Sequence, residues 1–254
     1  DNIPPSLNWD ETAAAYNAYS ISKWGLDEWG EKFPLVFKSF RDDKYPVHIY
    51  STAIIYFLTG NTSDYVTRTP SVFVGLLAIL GIFLISKYIF KSNIAGLMSS
   101  LALSVSAYHV HYSRGLWEAN FAVSLLIFAI GIFAAGIRKY QKLIPVSYLL
   151  FGLSLISYHS SKIVVPVVVL LITILYLKNL YKYKKNFLLS LGIFMFFIAL
   201  HIIEPRLLGL ARIDQNTMDQ SKVSQTFLYQ RTQNKFLGQI EYSLRDLKYY
   251  LSRE

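Results

Sequence analysis

The sequence of 254 residues has no cysteine, which excludes disulfides, thiolate chemistry and cysteine-ligated zinc or iron–sulfur centres, and by itself assigns no compartment. Charge is scarce: Asp, Glu, Lys and Arg make up 16% of the chain, where a soluble domain carries about 25%. Acids are scarcer still in the middle. Between Tyr65 and Ile203 the only carboxylate is Glu118, whereas nine acids fall in the first 64 residues. What fills the chain instead is apolar: 53% hydrophobic and 16% aromatic side chains, arriving in long blocks. That composition excludes disorder, a collagen repeat and a small disulfide scaffold, and points to a polytopic all-α membrane protein. The net charge of +9 comes from bases lying between the apolar blocks rather than in one stripe, so no nucleic-acid partner is expected.

A bilayer core of about 30 Å needs about 20 apolar residues per helix. Residues 70–90, 119–137 and 187–203 meet that length, and Pro70 suits a first helical position. Residues 94–110 are softer, rich in Ser and Ala, and suit packing against other helices. Residues 143–158 and 163–177 are short for spans and read as a buried pair that reaches the surface only at 159–162. The expectation is a bundle of about six segments over residues 70–203.

Loop charge orients the bundle. Lys87 and Lys91, then Arg138, Lys139 and Lys142, then Lys178, Lys182, Lys184 and Lys185 occupy alternate loops that contain no acid. The positive-inside rule puts these loops in the cytoplasm, and residues 1–69 and 204–254 on the outer face of the plasma (inner) membrane. Any chemistry that needs a carboxylate is then expected outside.

Residues 1–69 read as a structured outer loop with interfacial helices. Trp9, Trp24, Trp29, Phe33, Phe37 and Phe40 are interleaved with acids, a mixture suited to the headgroup zone. Asp10 precedes a good helix former and is placed to cap it. Residues 47–58 read as an interfacial helix ended by Gly60. Residues 204–254 change character and read as an outer-face connector, with 236–251 able to form an amphipathic helix.

The ordered runs Pro4-Pro5-Ser6-Leu7-Asn8-Trp9-Asp10-Glu11, Gly25-Leu26-Asp27-Glu28-Trp29-Gly30, Pro34-Leu35 and Asp43-Lys44-Tyr45-Pro46 resemble the first outer loop of polyprenyl-phosphate-sugar-dependent glycosyltransferases. These are the GT-C-fold enzymes of the protein O-mannosyltransferase and aminoarabinose transferase type. Tyr56-Phe57-Leu58-Thr59-Gly60 and Arg68-Thr69-Pro70-Ser71 are similar to that family's helix end and start of the next span. His111-Tyr112-Ser113-Arg114 with Glu118-Ala119-Asn120 is similar to its second outer turn. Ser157-Tyr158-His159-Ser160-Ser161-Lys162 with Pro166 is similar to its third. The resemblance covers roughly residues 4–204. Beginning with Asp rather than Met, the sequence is expected to be a fragment or processed product, truncated at both ends relative to that family.

The resemblance implies transfer of a sugar from a polyprenyl-phosphate carrier to a protein or glycolipid acceptor at the outer face, with inversion. Such a displacement needs a carboxylate to take the acceptor proton and cations to hold the phosphate as negative charge develops on it. Asp10 matches the family's motif acid and is the expected general base, with Glu11 as neighbour or alternative. Arg68, Arg114 and Lys162, with His159 beside the last, are the expected phosphate ligands. Asp27, Glu28, Glu118 and Asn120 are expected to support the acceptor or the structure. No ligand spacing forces a metal site, and divalent-metal use stays open within that fold class. The alternative readings are a transporter or lipid flippase for a charged substrate, built around Glu118, or a non-catalytic membrane subunit of the same fold.

Overall fold

The computed structural model describes residues 6–39 and 42–208. The expected helix at 236–251 lies outside them. Ten α-helices and one short β-hairpin are described. Helix α1 (Trp9–Trp24) starts on a capping box: the Asn8 side chain accepts from the Glu11 N–H at 2.9 Å, and Glu11 Oε2 accepts from the Asn8 N–H at 3.1 Å. The cap is therefore Asn8, not Asp10. Asn suits the position equally well, and the correction moves Asp10 into the first turn, where the exposed N–H groups favour acids. Gly25, with φ of 70°, ends the helix in the left-handed region that only glycine enters without strain.

Strands β1 (Phe37–Ser39) and β2 (Asp42–Lys44) pair antiparallel with Phe37 opposite Lys44, and lead into helix α2 (Pro46–Thr59). Pro46 opens α2, and Gly60 closes it at φ 65°. Helices α1 and α2 bury Ala14, Ala18, Ile21, Ile49, Ala53 and Tyr56 against Leu116 and Phe121.

Among the described residues three helices are long and apolar enough to cross a membrane: α3 (Asp64–Tyr88), α6 (Glu118–Arg138) and, last in order, α10 (Lys184–Ile203). The soft segment splits into α4 (Asn93–Ser104) and a short α5 (Ala107–Ser113). Helices α7 (Leu143–Leu155) and α8 (Ser161–Leu175) are the short apolar helices, but they are not the expected buried pair. Helix α7 is packed in the core, whereas α8 buries only Ser161, Val165 and Val169 and leaves most of its apolar side chains exposed. Helix α9 (Leu177–Lys182) bridges to α10. Pro70 lies inside α3 rather than at its start. The helix begins a turn and a half earlier because the polar residues there have buried partners: Thr67 meets the Tyr56 hydroxyl at 2.5 Å, and Arg68 pairs with Glu11.

Helix α6 is the central span; 67% of its apolar stretch is buried, against 33% for α3 and 22% for α10. In lipid, close approach and internal hydrogen bonds hold helices together more than apolar burial does. Gly81 of α3 and Gly131 of α6 meet backbone to backbone: a Cβ on Gly131 would stand 2.6 Å from the Gly81 carbonyl oxygen. Nearer the α3 start, Asn120 Nδ2 donates to the Ser71 carbonyl (3.0 Å) and hydroxyl (2.8 Å), while Ser124 donates to Asn120 Oδ1. On the other side of α6, Phe133, Tyr148, Phe151 and Phe194 form the aromatic centre of an α6–α7–α10 core.

The two ends of the bundle differ in charge. The starts of α3, α6 and α8 and the finish of α10 all meet the 6–45 segment, through Arg68–Glu11, Leu116–Glu11, Lys162–Tyr45 and Arg206–Glu31. Every described acid sits at that end. The opposite end carries the lysine-rich turns, tied together where Asn186 donates to the Gln141 carbonyl at 3.1 Å.

Candidate active site at the acidic end of the bundle

Glu11 is the hub of the acidic end. It is 2% exposed and accepts from Arg68 Nε at 2.8 Å and Nη2 at 2.7 Å, from the Leu116 N–H at 2.9 Å and from its own cap at Asn8. One carboxylate thus joins α1, α3 and the turn before α6. Burial alone would raise its pKa, but the Arg68 guanidinium and the N–H groups of Leu116 and Asn8 hold the Glu11 carboxyl below the usual carboxylate range. Arg68 is itself 7% exposed and turned to Glu11.

Successive residues of a helix point about 100° apart, so Asp10 cannot share that pocket. It faces out instead. Its side chain is 40% exposed and lies 3.2 Å from Lys44 Nζ. The same ammonium lies 3.8 Å from Glu118 Oε1, at the first residue of α6. Lys44, at the end of β2, therefore stands between two carboxylates that come from α1 and α6. Its side chain is only 16% exposed and that of Glu118 14%, so both charges are largely withdrawn from bulk water, where their attraction strengthens.

The next residue turns the other way. Lys162, in the first turn of α8, donates to the Tyr45 hydroxyl and lies over its ring, 4.4 Å from the centroid. Tyr45 is buried with Val36 and Leu207. His201, near the end of α10, is 8% exposed; its Nδ1 meets the Phe197 carbonyl and its Nε2 has no hydrogen-bond partner. The His159 ring lies tilted against Tyr158, 3.9 Å between centroids. Arg114, exposed, caps the end of α5.

The remaining expected residues are structural in their contacts. Asp27 is buried and accepts from the N–H groups of Trp29 and Glu31 at 2.9 and 2.7 Å, closing a tight turn. Glu28 ties that turn to α1 through Asn17, whose side chain exchanges two 3.1 Å bonds with it. Asn120 pins α6 to α3. Behind Lys44, His48 is fully enclosed beside Phe121; burial and the Lys44 charge push its imidazole down to about 3.

Sequence reasoning missed Lys44 as a site residue, although Asp43-Lys44-Tyr45-Pro46 was one of the motifs carrying the resemblance. The available signal was its position. Lys44 is a base within an acid-rich segment, two residues before a proline-initiated helix that fixes its direction. Among the described residues no three His, Asp or Glu side chains cluster to hold a metal ion.

The bundle gathers its described carboxylates at one end of its apolar spans, and a comparison with protein families supplies the class: a membrane glycosyltransferase of the GT-C type. The family model described as dolichyl-phosphate-mannose-protein mannosyltransferase matches residues 43–203, and the chain belongs to that family. No curated protein and no solved structure matches the chain. The matched stretch takes in Lys44, Arg68, Arg114, Glu118, His159 and Lys162, while Asp10 and Glu11 precede it. Membership implies a lipid-linked sugar donor and a bilayer environment.

Proposed function

We propose that this mannosyltransferase-like enzyme moves a sugar from a polyprenyl-phosphate carrier to a hydroxyl of a protein or glycolipid acceptor at the outer face of the plasma membrane, with inversion. The observation that carries this reading is the Asp10–Lys44–Glu118 arrangement: an exposed carboxylate beside a shielded cation, at the end of the bundle that holds the described acids. Asp10 takes the acceptor proton as the hydroxyl oxygen bonds to the anomeric carbon. The bond from that carbon to the phosphate oxygen breaks, its electron pair leaves with the polyprenyl phosphate, and Lys44 meets the charge that develops there. Arg114, Lys162 and His159 are proposed as further contacts to the phosphate or the sugar. Glu118 shares Lys44 with Asp10 and keeps its ammonium aimed between them.

Arg68 and Glu11 hold the geometry rather than the substrate. Their mutual pairing supports this assignment, since a buried Arg already committed to one carboxylate releases it only at large cost. A transporter needs ionisable groups near the membrane midplane. The described spans carry none there: Asp64 and Arg68 lie in the first two turns of α3 and Lys87 in its last, Glu118 and Arg138 are the terminal residues of α6, and Lys184, Lys185 and His201 lie at the ends of α10.

The test is transfer from a panel of radiolabelled polyprenyl-phosphate sugars by the full chain in proteoliposomes, wild type against Asp10→Asn. Loss of transfer with donor binding kept supports the reading. Absence of transfer from every donor, together with counterflow of a charged solute, replaces it with the transporter.

A further inference from the structure

About 30 Å from Arg68 along α3, at 1.5 Å per residue, the opposite end of the bundle gathers a second set of paired side chains. Lys87 and Tyr88 end α3, and Lys139 and Tyr140 follow the last residue of α6. The two helices already touch at Gly81 and Gly131, so their ends are neighbours. Lys139 Nζ lies over the Tyr140 ring at 5.0 Å, and Lys87 Nζ lies 5.7 Å from the Tyr88 ring and 5.6 Å from that of Phe83. Hydrogen bonding from Lys139, then its charge, hold the Tyr140 hydroxyl below its ordinary value, with smaller contributions from Lys87 and Tyr88. The Tyr140 hydroxyl thus lies within reach of Lys139, at the same end of the helix pair as Lys87 and Tyr88.

Among the described residues no acid lies at this end to balance them. Glu118 is the only carboxylate between Tyr65 and Ile203, and it sits at the far end of α6. Arg138, Lys142 and Lys91 add further positive charge close by in the chain. Ammoniums at neighbouring helix ends, with no described carboxylate beside them, repel one another, and an anion held between them relieves that repulsion. The tyrosine rings set the depth at which that anion is met, because Tyr at the end of a span lies at headgroup level.

We propose that Lys87, Tyr88, Lys139 and Tyr140 form a site for the phosphate of an anionic phospholipid headgroup, at the end of the α3–α6 pair remote from the catalytic residues. Basic clusters between span ends at the membrane surface bind such headgroups, with each Lys contributing measurably. The two tyrosine hydroxyls add donors to the phosphate oxygens, and charge-assisted bonds of this kind are the stronger class. A free phosphate would carry the same chemistry but would approach from water, without acyl chains along the exposed apolar flanks of α3 at Leu76 and Leu80.

The experiment is native mass spectrometry of the full chain released from neutral-detergent micelles doped equally with dioleoyl-phosphatidylglycerol and dioleoyl-phosphatidylcholine. The wild type is expected to retain one phosphatidylglycerol in preference to phosphatidylcholine. Lys87→Gln with Lys139→Gln should lower that retention by about tenfold or more. Lys182→Gln with Lys185→Gln removes the same charge from another turn and should leave it unchanged. Tyr140→Phe keeps every charge and should weaken retention by a smaller factor, which covers the case in which the double lysine variant fails to fold. Equal loss in both lysine pairs, or no preference for the anionic lipid, would overturn the proposal. So would displacement of the lipid by millimolar inorganic phosphate, which would mark a site for the free ion.

Discussion

Glu11 and Arg68 are 57 residues apart in sequence and form a two-point ion pair of 2.7 and 2.8 Å inside the bundle end, while Asp10, one residue earlier, faces a different cation. The division of labour follows from helix geometry. A breach of the pair leaves an uncompensated buried charge, so Arg68→Ala is expected to cost about 3–5 kcal/mol. Replacement of both partners by apolar residues of similar volume, Glu11→Leu with Arg68→Met, should cost less than Arg68→Ala, the remaining cost coming from the Leu116 and Asn8 N–H groups that lose their acceptor. Thermal unfolding in detergent measures this. A double variant no more stable than Arg68→Ala would show that the site needs the ion pair itself.

Acid should loosen this end in two stages. His48 is neutral in the fold down to about 3, whereas in the unfolded chain it takes up a proton near pH 6.5. Between those values the unfolded state binds the extra proton, so stability falls as pH is lowered, by up to about 1.4 kcal/mol per unit, and is flat above pH 6.5. Glu11 acts lower. Its depressed carboxyl contributes stability that is fully present above about pH 4.3 and is lost as pH falls through its folded value. His48→Leu should therefore flatten unfolding free energy between pH 6.5 and 4.5 while leaving the steeper loss below about pH 4.3. An unchanged slope in that window would remove His48 from the explanation.

Lys44 is the cation that the exposed Asp10 and the shielded Glu118 share, and in the proposed reaction it meets the leaving phosphate. Lys44→Gln should lower transfer by about 10²–10³-fold, the usual effect of removing one transition-state charge contact. Single-turnover rates at saturating donor separate this from weaker binding. A variant that loses only donor affinity, with its saturated rate intact, would make Lys44 a binding group alone.

The Gly81–Gly131 approach sets how closely α3 and α6 pack, and hence where Arg68 and Glu118 stand relative to one another. Gly131→Val must push the helices apart and is expected to cost about 1–3 kcal/mol, with the acidic end displaced. Loss of an engineered crosslink between the starts of α3 and α6 would report that displacement. A variant with wild-type stability and crosslinking would show that the bundle yields elsewhere.

Much of this fold was legible because membrane spans are written in plain terms: length and apolarity at residues 70–90, 119–137 and 187–203 foreshadow α3, α6 and α10. Boundaries were less legible. Pro70 suggested a helix start, but tertiary partners for Thr67 and Arg68 extend α3 back to Asp64. Asp10 looked like a cap because acids favour that position, yet Asn8 and Glu11 complete a reciprocal box that needs both residues at their spacing. The site was half legible. Asp10 and Glu11 appear together in sequence, and nothing local reveals that one is 40% exposed and the other buried. The partner of each lies on a distant element, Lys44 on β2 and Arg68 on α3, and only the folded chain brings them together.

The sharpest measurement compares Asp10→Asn with Glu11→Gln in the full chain, following single-turnover sugar transfer, donor binding and thermal unfolding side by side. Asp10→Asn should unfold within about 0.5 kcal/mol of the wild type, as surface changes do, and bind donor, yet lose transfer by about 10²–10⁴-fold. Glu11→Gln should instead lower the unfolding temperature, with activity falling only as far as the folded fraction and Asp10's position are lost. Transfer at the wild-type rate by a folded Asp10→Asn protein would contradict the assignment of the general base and shift it to Glu118.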